Sequence, residues 1–362
     1  MMGDQKGFLT VIVVAVVTLL SCCSPASSFL LPRVTRTSDA IIIDYDGLGY
    51  APLEWKYGNV AKLGFIPMSS SFNPYYAMMY GQEQQPMMFD AAAFNVGEQG
   101  VKQSITTTTP PAIQCGRGPA TMPAARSPIN ERIIEGVSAK KNAWPFMVYV
   151  SISSKKCGGV LISDSKVLLA AQCLERFTLF DTLLSSTVSI GVYSIDPLDA
   201  QMTRRISNII LHSQFNAASF ANDIAIITLD APVVLSKTVV PVCLPPESTD
   251  PDQYADQDAI ILGWDASEVL QQGKVKIASN VDCKNMQSIS QYVSDTTICL
   301  SSTTVFPCNY DMGGPVVIQS STGAWTVVGI NSYVTPDCDA SGLQTRVSAF
   351  SAWIDKYMKL KK

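Results

Sequence analysis

The sequence predicts a secreted, largely β-stranded domain closed by one C-terminal helix and standing behind a long low-complexity segment. Three observations point there. Ala143-Trp144-Pro145-Phe146-Met147-Val148-Tyr149-Val150 is rich in the β-branched and aromatic residues that suit a strand. Between Ser348 and Met358, the residues Phe350, Trp353, Ile354 and Tyr357 recur at the spacing of one helix face. Ten cysteines in 362 residues are many for a reducing compartment and fit a disulfide framework.

Residues 1–26 read as a signal peptide. Lys6 supplies the positive charge, Phe8 to Leu20 is apolar apart from Thr10 and Thr18, and Ser24-Pro25-Ala26 offers small residues for cleavage. The run falls short of the roughly 20 residues a bilayer span needs, so no membrane anchor is expected. Cleavage would remove Cys22 and Cys23 and leave an even eight cysteines. Residues 27–132 contain Pro- and Thr-rich pieces such as Thr106-Thr107-Thr108-Thr109-Pro110-Pro111, with no sustained helical or strand period. Six of the thirteen tyrosines fall between Tyr45 and Tyr80, and Met78, Met79, Met87 and Met88 come in pairs. Such a segment reads as a partly disordered pro-region, or else as an adhesive arm. From residue 133 to 362 the chain is long enough for one domain of ordinary size. A net charge of −4 and a pI near 5.1 argue against nucleic acid or an anionic membrane as the main partner.

Cys308-Asn309-Tyr310-Asp311-Met312-Gly313-Gly314-Pro315 resembles the nucleophile loop of the trypsin/chymotrypsin-like serine proteases, where Gly-Asp-Ser-Gly-Gly-Pro follows a cysteine. Three further stretches resemble the same family: Arg132-Ile133-Ile134-Glu135-Gly136 its activation site, Val167-Leu168-Leu169-Ala170-Ala171-Gln172-Cys173 its histidine motif, and Asn222-Asp223-Ile224-Ala225 its aspartate motif. The resemblance implies an all-β fold, a chymotrypsin-like double six-stranded β-barrel with a C-terminal helix, behind a pro-region. Many arthropod relatives carry six-cysteine clip modules before this domain, but Cys115 stands alone in residues 27–132, so no such module is present.

The chemistry departs from the family at the decisive positions. Met312 stands where the serine belongs, and a thioether has no proton to lose and cannot become an alkoxide-type nucleophile. Gln172 stands where the histidine belongs, and a carboxamide does not take up a proton near neutral pH. Asp223 keeps the orienting carboxylate, to which Gln172 could still donate an amide hydrogen bond. The single histidine, His212, sits in a segment of the barrel's outer wall and reads as an ordinary surface or strand-end residue. Phe306 falls at the base of the primary pocket, Val334 replaces a usual glycine beside Ser332 and Tyr333, and Gly342 matches a small pocket-wall position. Together they imply a narrowed or filled pocket. Tyr310 replaces the glycine whose N–H helps form the oxyanion hole.

The resemblance also implies cleavage after Arg132, with the freed Ile133 amine pairing to Asp311. It implies the disulfides Cys157–Cys173, Cys283–Cys299, Cys308–Cys338 and Cys115–Cys243. No Asn-x-Ser/Thr sequon occurs. The expectation is therefore a secreted pseudo-protease without metal or cofactor. It would act on extracellular proteins (proteases, zymogens or inhibitors) as a cofactor, decoy or scaffold in a proteolytic cascade, including arthropod immunity and melanisation. The alternatives are a matrix, eggshell or cuticle component using the Tyr/Met-rich arm, and a residual protease of unorthodox chemistry.

Overall fold

The computed structural model describes residues 29–51, 114–120, 137–152, 154–174, 186–264, 267–301, 307–308, 311–335 and 342–360. The first sheet is built from β1 (Phe29–Arg36), β2 (Ala40–Ala51), β4 (Met147–Ile152), β5 (Lys155–Leu161), β6 (Lys166–Leu169), β7 (Ser186–Ile190), β8 (Met202–Arg204), β9 (Ile206–His212) and β10 (Ala225–Leu229). Its strand order is β1-β2-β9-β10-β6-β5-β4-β7-β8. The second sheet holds β3 (Val137–Ser138), β11 (Asp258–Gly263), β12 (Gln271–Ile277), β13 (Thr297–Ser301), β14 (Pro315–Gln319), β15 (Trp325–Tyr333) and β16 (Leu343–Arg346). There β11 pairs with both β14 and β12, which closes six strands into a barrel and leaves β3 as an appendage on β12. The fold is thus the all-β, chymotrypsin-like one, with one closed barrel and one half-barrel.

Residue pattern explains the strands. Every residue of β10 is buried, because Ala225-Ile226-Ile227-Thr228-Leu229 lies between β6 and β9 with both faces covered. β7 and β12 alternate buried with partly exposed residues, as strands with one covered face do. The main core joins the two sheets: Trp144 meets Trp325 edge-on at 4.7 Å, and Tyr149 meets Trp264 at 5.3 Å. Helix α1 (Asn280–Asn285) is capped by Ser279, whose hydroxyl accepts from Asp282 N, and is tied to β13 by Cys283–Cys299. Helix α2 (Ser351–Met358) buries Trp353, Ile354 and Tyr357 after the buried Phe350, the face the spacing predicts. Each such side chain contributes about 1.5–3 kcal/mol. Among the described residues no helix is long and apolar enough to cross a membrane.

One segment departs from the sequence reading. Residues 29–51, expected to lack any strand period, form the β1–β2 hairpin, and β2 pairs with β9 from Ala40↔His212 to Asp44↔Asn208. The composition of the long segment hides a short local signal, Ala40-Ile41-Ile42-Ile43-Asp44-Tyr45. That run becomes a strand because β9 offers it an edge, and pairing there satisfies its backbone groups.

Candidate functional site

Gln172 lies in a single 3₁₀ turn, Ala171–Cys173, directly after β6, and Cys157–Cys173 fastens that turn to β5. Asp223 follows a loop with left-handed backbone at Phe220 (φ 56°) and Asn222 (φ 53°), and its side chain is completely buried. Left-handed backbone is rare for residues other than glycine, so the surrounding packing must hold this loop in place. It aims the carboxylate at the turn. Gln172 N donates to Asp223 Oδ1 at 2.9 Å, and Gln172 Nε2 donates to Asp223 Oδ2 at 2.5 Å. The same Nε2 also donates to the Ser332 carbonyl, so both amide hydrogens are used. Ser332 Oγ donates to Asp223 Oδ2 at 2.6 Å, and Thr345 Oγ1 fixes the Asp223 carbonyl at 2.8 Å. From the other side, Lys155 Nζ donates to the Gln172 carbonyl at 2.5 Å.

These contacts hold Gln172 in one orientation and surround Asp223 with donors. Burial nevertheless wins: it pushes the Asp223 carboxyl up to about 6, against the lowering effect of Ser332, Gln172 and the Ala171 backbone. The cause is that every partner is neutral. An imidazolium would bring a charge, whereas a carboxamide brings only a dipole.

The Asp311–Pro315 loop is seated between the sheets. Gly158 N donates to the Met312 carbonyl at 2.8 Å, Gly313 N to the Asn331 carbonyl at 2.8 Å, and Asn331 Nδ2 to the Asp311 carbonyl at 3.2 Å. Gly313 has φ 77°, and a Cβ there would lie 2.5 Å from the Gly158 carbonyl oxygen. Half-buried, the Met312 thioether packs against the main core. Asp311 is 1% exposed, and its Oδ2 accepts from Cys308 N at 2.9 Å. It points at Gly263, where a Cβ would come within 1.8 Å of Asp311 Oδ1.

The structure thus brings Gln172, Asp223 and Ser332 into one hydrogen-bonded group, with Met312 on the neighbouring loop. It gives Ser332 a part the sequence reading did not, as a donor to Asp223 as well as a lining residue. Gly263 was missed altogether, since a lone glycine beside Trp264 carries no local signal of the carboxylate facing it. Tyr333 packs with Phe220 at 4.8 Å and Tyr292 at 5.3 Å, and Val334 is buried. Gly342 sits so close to β15 that a Cβ would meet the Tyr333 carbonyl oxygen at 2.3 Å. His212 lies at the end of β9 with its ring 5.4 Å from Phe350 and 5.6 Å from Trp353, and burial lowers its pKa. Three disulfides join Cys115–Cys243, Cys157–Cys173 and Cys283–Cys299. Cys308 is disulfide-bonded as well, while Cys338 lies outside the described residues. Arg132, Ile133, Phe306, Tyr310 and residues 1–26, read as a signal peptide, also lie outside them.

A closed barrel and a half-barrel meeting at a buried aspartate, a glycine-rich loop and a disulfide-pinned turn define the frame of a serine protease of the chymotrypsin type. The family described as Trypsin matches residues 133–354. Chymotrypsin-C of Rattus norvegicus is 32% identical over 257 residues, spanning 66% of this chain and 93% of that protein. Vitamin K-dependent protein C of Rattus norvegicus is 31% identical over 253 residues, 64% of this chain and 52% of that protein. Chymotrypsin-C of Mus musculus is 32% identical over 251 residues, 64% of this chain and 91% of that protein. The chain belongs to the trypsin family.

Proposed function

We propose that this protein is a secreted, non-catalytic member of the family that works by binding. Its partners would be extracellular proteins, namely proteases, zymogens or inhibitors of a proteolytic cascade, toward which it acts as cofactor, decoy or scaffold. The observation that carries this reading is the Gln172 amide, bonded to both Asp223 and the Ser332 carbonyl. A group saturated as a donor and lacking a basic nitrogen cannot relay a proton. Met312 offers no hydroxyl for it to activate. The frame around these positions is intact, which supports a surface role for the domain. The disulfides fit an oxidising, extracellular setting.

Protein cut after Arg132 and offered a panel of peptide substrates should show no turnover and no labelling by serine-directed phosphonates. Met312→Ser alone should not restore either, because the base is still absent. Turnover by the pure protein that disappears with Asp223→Ala would overturn the proposal. Affinity capture from the native extracellular fluid, with intact and cut forms, would identify the partner.

A further inference from the structure

The β1–β2 hairpin is held to the domain by more than strand pairing. Ala40 is fully buried and Tyr45 is 6% exposed, and both belong to the main core. The turn before β2 is clamped between the end of β9 and helix α2. Lys356 Nζ donates to both Asp39 carboxylate oxygens at 2.7 Å, and Tyr357 OH donates to Asp39 Oδ1 at 2.8 Å. Trp353 Nε1 and Ser213 N donate to the Asp39 carbonyl at 2.9 and 3.1 Å, and Ser213 Oγ donates to the Ser38 carbonyl at 2.9 Å. Thr37 Oγ1 donates to Asp39 Oδ1 at 2.9 Å and lies 2.9 Å from the Tyr357 hydroxyl. Lysine and tyrosine hold the Asp39 carboxyl at about 2, well below the usual carboxylate range.

These contacts have the form of a ligand in a site. An extended strand adds to a sheet edge through its backbone, side chains enter the core on one face, an acidic side chain at the turn is read by a lysine and a tyrosine, and an indole holds its backbone carbonyl. Between the signal peptide and Cys115 the chain contains no cysteine. Nothing covalent would therefore hold the hairpin if the chain were cut between residues 52 and 113. We propose that the β9 edge together with Trp353, Lys356 and Tyr357 of α2 is a strand-acceptor site, and that its ligand is this chain's own segment 37–45. The N-terminal segment then remains part of the folded protein after such a cut. Before it, the hairpin and the Cys115–Cys243 bridge anchor the described chain on either side of the cut. The proposal does not depend on the absence of catalysis.

The test uses the full chain with a recognition sequence for a site-specific protease inserted between Gln82 and Glu83. After cutting, without reductant, at about 1 μM protein, the N-terminal fragment, which is cysteine-free once residues 1–26 are removed, is expected to co-elute with the domain in gel filtration. In the Asp39→Ala chain, its dissociation constant should rise about 10- to 100-fold, as loss of several charge-assisted hydrogen bonds implies. A wild-type fragment that separates at that concentration overturns the proposal. Should Asp39→Ala fail to fold, synthetic peptides of residues 29–51 can be added to the cut wild-type protein. The wild-type peptide should displace the labelled fragment, and the Asp39→Ala peptide should need about 10- to 100-fold more. Failure of the wild-type peptide to displace, or equal potency of the two peptides, overturns it.

Discussion

Replacing an ionisable imidazole by a carboxamide should leave a pH signature in stability, because it strands a buried carboxylate. Asp223 is fully buried, and its pKa stands at about 6 in the folded protein against 3.8 for an exposed aspartate. At 1.36 kcal/mol per pH unit that difference corresponds to about 3 kcal/mol. Well below pH 3.8 the group is protonated in both states and contributes nothing. As pH rises toward 6, the unfolded chain releases the proton first, so stability falls. Above 6 the whole cost is present. His212 acts in the opposite sense. Burial lowers its pKa, so the unfolded chain binds the extra proton below about 6.5, and its contribution rises with pH. Asp39, Asp199 and Asp258 are held below the usual range, and their contributions fade as pH falls below about 4, outside the window. Urea unfolding at pH 4, 5, 6 and 7.5 should therefore be run on wild type and on Asp223→Asn, which removes the titration. The difference between the two profiles isolates Asp223. It should fall by about 2 kcal/mol between pH 4 and 6 in wild type relative to the variant, and by somewhat more to pH 7.5. Parallel profiles, or a difference of the opposite sign, would refute the argument that neutral partners leave this carboxylate under-compensated.

Further expectations follow from the same geometry. Gln172→His should supply an ionisable partner for Asp223 and flatten that difference, measured by the same titration. Gly263→Ala places a methyl in the space of the Asp311 carboxylate and should destabilise by about 3 kcal/mol or more, read as a lowered urea midpoint. Asp311 is buried, so the switch that the resemblance implies can be tested directly. Cutting should raise partner affinity and slow hydrogen exchange around Asp311, and Asp311→Asn should abolish both gains with the disulfides intact. Equal exchange and binding by cut and intact forms would mean that the retained pair is only a structural relic.

The sequence by itself determined the family frame and the side chains, Gln172 and Met312, that stand at its histidine and serine positions. Side-chain identity decides whether a group can take up a proton or attack a carbonyl, so Gln172 and Met312 were informative before any fold was known. The buried face of α2 was legible for a similar reason: a helix repeats locally, and Phe350, Trp353, Ile354 and Tyr357 carry that period in themselves. Tertiary structure alone decided the rest. Ala40–Tyr45 is a strand because β9, nearly 170 residues further along, presents an unfilled edge. Asp39 is a clamp because Trp353, Lys356 and Tyr357 reach it from the other end of the chain. Gly263 must be glycine because Asp311 points at it, and Asp223 titrates high because water is excluded and no partner carries a charge. Each of these depends on which groups the fold places within a few ångströms, and contacts between residues far apart in sequence leave no mark on the local pattern of either partner.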